Sequence, residues 1–566
     1  MKHPNRLTAL GAGGVAAGVA TALVVALMSA GPAVARHTVA RAHAASGVAL
    51  TLEGLPVAQA SGFNPFVPSS AASQLGATTL IYEPLFQSNT LKPGQYYPFL
   101  ATKYAWSDNG KAVTFTIRKG VKWSNGTPLT PADVAYTYEL IKRDAELNTT
   151  GITLTGVSTH GDTVTLRFPS PQYGNFFNIA ASVYIVPKAI WSAVKNPATY
   201  ADDAPVGTGP YTVVSDTASG IVMTANNKYW GGPFGGHGAP AVKTVEFPTL
   251  SSSTSALTAM LSGQLSWAGN FIRGVRKEFA GKPLVFWSPP TGTDALEPNL
   301  SRWPTNQLAV RKAISLAISR TALANQGEDG LESRALNASG LTLPALKPFL
   351  DPQVAHDTLS GAAQPAAAEK VLEAAGYKKN AQGWFALKGK VVAVTLSVPT
   401  AFPDYAADMT LAAAELRKAG IDATFRGDSV NQWDAEVADG NFQLVEHWSA
   451  LTTSPYLLYQ GWLSGALDTK QNRAGNFEGL NNAAINRALN VLAASRTVAQ
   501  QRKALVPIET YVANNLPVIP TVYDAAWGEY STANFTGWPS PSNQYETAQP
   551  DAPTDEVVLL HLHPKS

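Results

Sequence analysis

Tyr97–Ile141 reads YPFLATKYAWSDNGKAVTFTIRKGVKWSNGTPLTPADVAYTYELI, and its succession of turn, strand, turn and helix decides how the rest of the chain is parsed. Asp108-Asn109-Gly110 has the residue types of a tight turn between two extended runs. After it, Val113, Phe115 and Ile117 alternate with Thr114, Thr116 and Arg118, which predicts a strand with one apolar and one polar face. Asn125-Gly126 marks a second turn. Thr130-Pro131-Ala132-Asp133 then opens a helix expected to reach Lys142. Proline loses nothing in the first turn, where its N–H would be unpaired anyway, and the acid faces the positive helix end. Taken alone, the stretch is scaffold and carries no reactive constellation.

Outward from it, strands are expected at Thr163–Phe168 and Val391–Val398. Helices are expected at Ala309–Ser319, Ala366–Ala375, Ala406–Lys418, Asn482–Ala494 and Val498–Asn514, with Gly376 and Gly420 as C-terminal stops. Strands interleaved with helices read as α/β. A chain of 566 residues exceeds what one core supports, so two or more compact units are expected. With 45% hydrophobic and 14% charged residues, the chain has the composition of a folded globular protein.

Lys2 and Arg6 are followed by no charged side chain until Arg36, across a run of Leu, Val, Ala and Gly. This reads as an export signal. Cleavage after Ala33-Val34-Ala35 or Ala42-His43-Ala44 would start the mature chain near Arg36 or Ala45, the second being favoured. The apolar run is also long enough for an uncleaved membrane anchor. There is no cysteine, which removes disulfides, thiolate metal sites, cysteine nucleophiles and lipid attachment together. Lys2, Arg6, Arg36 and Arg41 lie in the segment expected to be removed, and without these four the 42 basic residues become 38 against 40 acidic. A near-neutral surface argues against a nucleic-acid partner.

No cofactor is expected. Gly231–Gly238 lacks the Lys-Ser/Thr pair that a phosphate-binding loop needs and reads as a surface loop. No metal-ligand spacing stands out. An exported hydrolase would need a signature such as GxSxG or HExxH; neither occurs, and Gly427-Asp428-Ser429 is a chance-length match. No catalytic residue is assigned.

The order TFTIRKGVKW then NGTPLTPADV resembles the signature of the ABC-transporter extracellular solute-binding proteins of family 5, the peptide, nickel and oligosaccharide binders. Further motifs recur in that family's order: Ile81-Tyr82-Glu83-Pro84-Leu85 before it, and after it Gly207-Thr208-Gly209-Pro210-Tyr211, Asn226-Asn227-Lys228-Tyr229-Trp230, Leu257–Trp267, Val310-Arg311-Lys312-Ala313, Ala367–Tyr377 and Leu516-Pro517-Val518-Ile519-Pro520. The resemblance implies an α/β, two-lobed periplasmic-binding-protein-like clamp of type II, with the extra subdomain of the peptide-binding cluster. Its expected division is 1–44 signal or anchor, 45–80 and 205–295 in lobe I, 81–204 the extra subdomain, 296–514 lobe II, and 515–566 returning to lobe I. It implies an extracytoplasmic, monomeric binding protein that delivers an oligopeptide-class solute to an ABC permease. An oligosaccharide of cello or xylo type is the alternative cargo. A surface sensor or adhesin built on the same clamp is the alternative from another class, and genomic neighbours would separate it.

Four groups of residues are ligand candidates. The resemblance places the Trp267-Ala268-Gly269-Asn270-Phe271 loop in the cleft, although Trp267 reads equally well as core. A second group is Trp448 and Ser449 with Tyr456 and Tyr459. Peptide-binding relatives carry an aspartate shortly after this tryptophan, to pair with the peptide ammonium. Here Leu451 stands in its place and no acid occurs from Trp448 to Leu463, leaving Glu446 as the nearest one. An unpaired ammonium in a closed cleft is costly, which moves the expectation toward a neutral ligand such as a sugar, whose C–H face stacks on aromatic rings. The third group is Phe63 and Asn64 with Tyr82, which the resemblance puts near the cleft mouth. The fourth is Asn299, beside Trp303, where the chain is expected to cross between lobes; packing is the competing reading for both groups.

Overall fold

The computed structural model describes residues 48–54, 62–217, 219–234, 238–250, 252–343, 345–449, 454–467 and 475–565. The hairpin formed around Asp108-Asn109-Gly110, all three with positive φ, joins Ala101–Ser107 to Ala112–Ile117. These strands continue through Thr163–Arg167 to Gly156–His160 in a four-stranded antiparallel sheet. Val113, Phe115 and Ile117 are buried while Thr114 and Thr116 are half-buried, as the alternation predicts. The helix Pro131–Arg143 is held at its start by a capping box, in which Asp133 Oδ2 accepts from both the backbone N–H and the hydroxyl of Thr130 at 2.8 Å. The scaffold glycines serve two different needs. Gly126 has φ +93°, which its turn requires, whereas a Cβ on Gly207 would lie 1.7 Å from Ile81 O, so there only the absence of a side chain lets the two backbones meet.

The first lobe also contains the sheet Leu50–Thr51, Thr244–Pro248, Gly220–Ala225 and Tyr211–Thr217, in that order. A small sheet joins Trp267–Ala268 and Leu284–Phe286 to Glu529–Ser531, a strand from near the C-terminal end. One continuous core includes Leu50, Phe115 and Phe247 together with Tyr530, Trp538 and Leu559, so the last part of the chain packs into the first lobe.

The second lobe is built on a five-stranded sheet in the order Asp422–Asp428, Ala393–Pro399, Leu444–Trp448, Asp294–Pro298, Ile519–Pro520. The first three run parallel, and their core is covered by helices Leu308–Ala317, Pro365–Ala374 and Pro403–Lys418. Helices Ala483–Ala493 and Val498–Asn515 pack in a further cluster with Pro455–Leu463.

Two chain segments connect the lobes, residues 287–293 outward and 521–528 back. They run against each other, with Trp287 N donating to Gly528 O, Ala526 N to Pro289 O, and Thr291 N to Asp524 O, at 2.9, 3.0 and 2.9 Å. The fold is therefore α/β and two-lobed. Away from these segments the lobes touch on two sides. Asn178 Nδ2 donates to Gln460 Oε1 at 3.1 Å, and Arg273 donates to Gln326 O and Gly327 O at 3.0 and 2.8 Å.

Candidate functional site

Parallel strands of an open sheet present their carboxyl ends to a crevice where ligands bind. Here Ala393–Pro399 runs into Ala401–Tyr405, and Leu444–Trp448 ends at Ser449; both ends line a cleft of about 420 Å³. Asn270, Phe271, Thr547, Gln549 and residues 551–554 contribute from the first lobe, and Thr291, Asp524 and Trp527 from the connecting segments. The cleft is thus bounded by both lobes and floored by the hinge.

Aromatic rings face it from both sides. Trp448, 43% exposed, meets Tyr405 at 6.3 Å in a stacked arrangement and Phe402 at 6.1 Å edge to face, and is backed by the His447 ring at 4.0 Å. Across the cleft Trp527 packs edge to face on Phe271 at 5.6 Å. Such pairs hold an aromatic wall in fixed orientation. Polar groups between them include the amides of Asn270 and Gln549 and the hydroxyls of Ser449 and Thr547. Ser449 Oγ accepts the Thr293 N–H at 2.9 Å, which fixes the strand end against the outgoing segment.

Three carboxyls, Asp404, Asp524 and Asp551, line the cleft, and among the described residues no lysine or arginine does. Burial pushes Asp404 up to about 6 and Asp551 up to about 8. Asp524 rises well above the carboxylate range through burial, helped by neighbouring Asp294 and Asp404.

Of the residues singled out in the sequence, Asn270, Phe271, Trp448 and Ser449 line the cleft. Gly269 stands beside it: a Cβ there would lie 2.4 Å from Pro550 Cδ, so glycine lets the loop pack under the C-terminal segment. Trp267 is fully buried, donates its indole N–H to Ala548 O at 2.5 Å and meets Trp538 edge to face; it is a core residue of the first lobe. Asn64 is likewise enclosed, donating to Pro197 O and Tyr200 O at 2.8 and 2.7 Å, with Phe63 buried beside it, and Tyr82 is buried on Asp202. Asn299 donates to Gly440 O at 3.0 Å and accepts from Ser301, which makes it a turn-forming residue away from the cleft. Tyr459 is buried on Ser339 O, and Tyr456 packs against the helical cluster of the second lobe. Glu446 is 1% exposed and accepts from the Thr521 hydroxyl inside the sheet, so it offers nothing to a ligand. Leu451 lies outside the described residues.

Phe402, Asp404, Tyr405, Trp527 and Asp551 were not among the candidates. A usable signal was present for the first three: an aromatic, a proline, an acid and an aromatic directly after a parallel strand, at the start of the helix Pro403–Lys418.

Two lobes tied by paired crossing segments over a polar and aromatic cleft define a binding clamp. Residues 95–469 match the family described as bacterial extracellular solute-binding proteins, family 5 Middle. The nickel-binding periplasmic protein of Escherichia coli K12 is 27% identical over 402 residues, covering 67% of this chain and 72% of its own. The Thermotoga maritima periplasmic oligopeptide-binding protein, solved with mannohexaose bound, superposes with a TM-score of 0.83 at 25% identity over 91% of this chain and 98% of its own. The Bacillus subtilis oligopeptide-binding protein AppA in complex with a nonapeptide shares the fold, with a TM-score of 0.74 at 18% identity over 92% and 99%. The chain belongs to the bacterial extracellular solute-binding proteins of family 5, a family of binding proteins and not of enzymes.

Proposed function

We propose that this chain is the extracytoplasmic binding component of an ABC importer and captures an oligopeptide-class solute between its lobes. The observation that carries the reading is the three-carboxyl, aromatic-walled cleft, which no lysine or arginine among the described residues lines. The acid missing after Trp448 in the sequence has spatial substitutes in Asp404 and Asp551, one on each lobe, which can receive an ammonium group. Asn270, Phe271, Trp448 and Ser449 are the proposed ligand contacts, with Phe402, Tyr405 and Trp527 added. Export through residues 1–44, with cleavage or retention as a tether, and a monomeric state belong to the same proposal. So does the partition at 80, 204, 295 and 514, with its last boundary moved on to the returning segment 521–528, because Ile519–Pro520 belongs to the second lobe's sheet and Glu529–Ser531 to the first lobe's. The closed, loaded form would dock on a membrane permease.

A second reading, an oligosaccharide, is favoured by the exposed face of Trp448 opposite Trp527 and by the mannohexaose-bound relative. Calorimetric titration with short peptides and with cello- and xylo-oligosaccharides decides between them. Peptide binding without sugar binding supports the first reading, and the reverse establishes the second. Scattering with saturating ligand should show a smaller radius of gyration; an unchanged radius with every ligand counts against the clamp.

A further inference from the structure

At the hinge, one carboxylate oxygen from each of Asp294, Glu332 and Asp524 lies within 4.8 Å of the other two. Asp294 sits where the outgoing segment enters the second lobe, with one oxygen accepting the Tyr405 hydroxyl at 2.9 Å. Asp524 is on the return segment, with its carboxylate against Gly292 of the outgoing one: a Cβ at Gly292 would come within 2.4 Å of Asp524 Oδ2. Glu332 reaches in from the second lobe, just before Ser333–Arg334, which pairs with Val522–Tyr523.

Glu332 supplies an independent indication of a missing ligand. It is only 7% exposed, and one of its oxygens accepts the Ala525 N–H at 2.8 Å. Its other oxygen, Oε2, is buried and receives no N–H or hydroxyl among the described residues; the Glu332 carboxyl instead faces that of Asp294 within hydrogen-bonding reach, an approach that needs a shared proton or a cation between them. The charges bearing on the three groups are further carboxyls, among them Glu328 and Asp404. The buried guanidinium of Arg320 does not serve them, because its donors go to Pro520 O, Ser315 O and Ser315 Oγ. Converging buried carboxyls without a basic partner need protons or a cation.

We infer that Asp294, Glu332 and Asp524 bind a hard divalent cation, Ca2+ in preference to Mg2+, that pins the two crossing segments and the second lobe together. The donor set is oxygen only, which suits hard cations and not the nitrogen- and sulfur-preferring transition metals. Three protein carboxylates converging on one point suit Ca2+, which takes many oxygen ligands in flexible geometry, better than Mg2+, which keeps several waters and takes one or two carboxylates. Asp524 opens on the cleft and gives the ion its path. The three positions are scattered over 230 residues of sequence, so no spacing announces them.

The full chain, stripped with EDTA and dialysed, is titrated with CaCl2, MgCl2 and TbCl3 at pH 7.5. One Ca2+ per chain, a Tm that rises with Ca2+ concentration, and sensitised Tb3+ emission are expected. At least a tenfold loss of Ca2+ affinity is expected in Glu332→Gln and in Asp524→Asn, with folding checked by near-ultraviolet circular dichroism. Absence of Ca2+ and Tb3+ binding would overturn the site and leave the cluster protonated; tighter Mg2+ than Ca2+ binding would overturn the preference. If Glu332→Gln does not fold, Asp524→Asn, the less buried of the two, decides: undiminished Ca2+ affinity in it refutes the assignment.

Discussion

The Tyr405 hydroxyl donates to Asp294 Oδ1 at 2.9 Å while its ring stacks on Trp448 at 6.3 Å, so a single side chain links the hinge to the aromatic wall of the cleft. Both partners of the hydrogen bond are buried. Tyr405→Phe keeps the ring and removes the donor from a buried carboxyl, a change that typically costs about 1–3 kcal/mol. Urea unfolding should show a lower midpoint with an unchanged slope. An unaltered midpoint would mean that the bond contributes nothing to stability.

The two tryptophans read together in the sequence should behave oppositely. Trp448→Ala removes a 43%-exposed ring from the cleft and should weaken the cognate ligand about 5–30-fold, the equivalent of ~1–2 kcal/mol, with little loss of stability. Trp267→Ala empties a fully buried site and should destabilise by about 3–5 kcal/mol. Calorimetry and thermal unfolding on both variants check this; unchanged ligand affinity in Trp448→Ala would remove that residue from the proposed contacts.

That contrast shows what was legible. The hairpin at Asp108-Asn109-Gly110, the capped helix at Thr130 and the long helices were written locally, in alternation, caps and stops, and the structure places them within a few residues of their expected ends. Phe63, Tyr82 and Trp267 were attractive because they are aromatic and occur near loops, but large rings gain most by full burial, and these three are buried. Asp404, Asp524 and Asp551 meet only because the chain crosses twice between lobes. No local pattern encodes that convergence.

Stability should fall as pH rises above about 5. Burial raises Glu53, Glu83, Glu546 and Asp555 to about 7 and Glu509 to about 8, all away from the hinge carboxyl cluster, and raises Glu297, which nearby Asp294 also pushes up, to about 8. Between the ordinary carboxylate range and these values the folded state holds more protons than the unfolded state, so folding is favoured in acid and the advantage drains away up to pH ~8. His447, lowered to about 4 by burial, acts in the opposite sense between about 4 and 6.5, since the folded state keeps it neutral. Denaturation midpoints in EDTA from pH 4.5 to 8.5 test the trend; a steady rise across pH 6–8 would show that other groups outweigh these carboxyls.

Arg273 of the first lobe bonds Gln326 O and Gly327 O of the second and approaches Asp329 at 3.7 Å. Arg273→Ala should therefore favour the open form and weaken ligand about 3–10-fold, mostly through faster release, while leaving each lobe folded. Stopped-flow dissociation measures this. An unchanged off-rate would show that these contacts do not hold the closed state.

The chemical state of the cleft carboxyls separates the two cargo readings. With Asp551 raised to about 8 by burial, its carboxyl is largely protonated at pH 7 before ligand arrives, whereas Asp404, at about 6, is mostly ionised. An ammonium held between these groups favours the ionised form of both, so binding must expel part of a proton, and the affinity for such a ligand should rise between pH 6 and 8. A neutral sugar can hydrogen-bond to either protonation state, and its affinity should show little such dependence. Titrations at pH 7 in phosphate and in Tris, whose ionisation heats differ widely, should give different apparent enthalpies for an ammonium-bearing peptide, with proton release. Equal enthalpies in the two buffers, together with pH-independent peptide affinity, would remove Asp404 and Asp551 as the ammonium's partners and leave the aromatic walls as the principal determinant of what the cleft accepts.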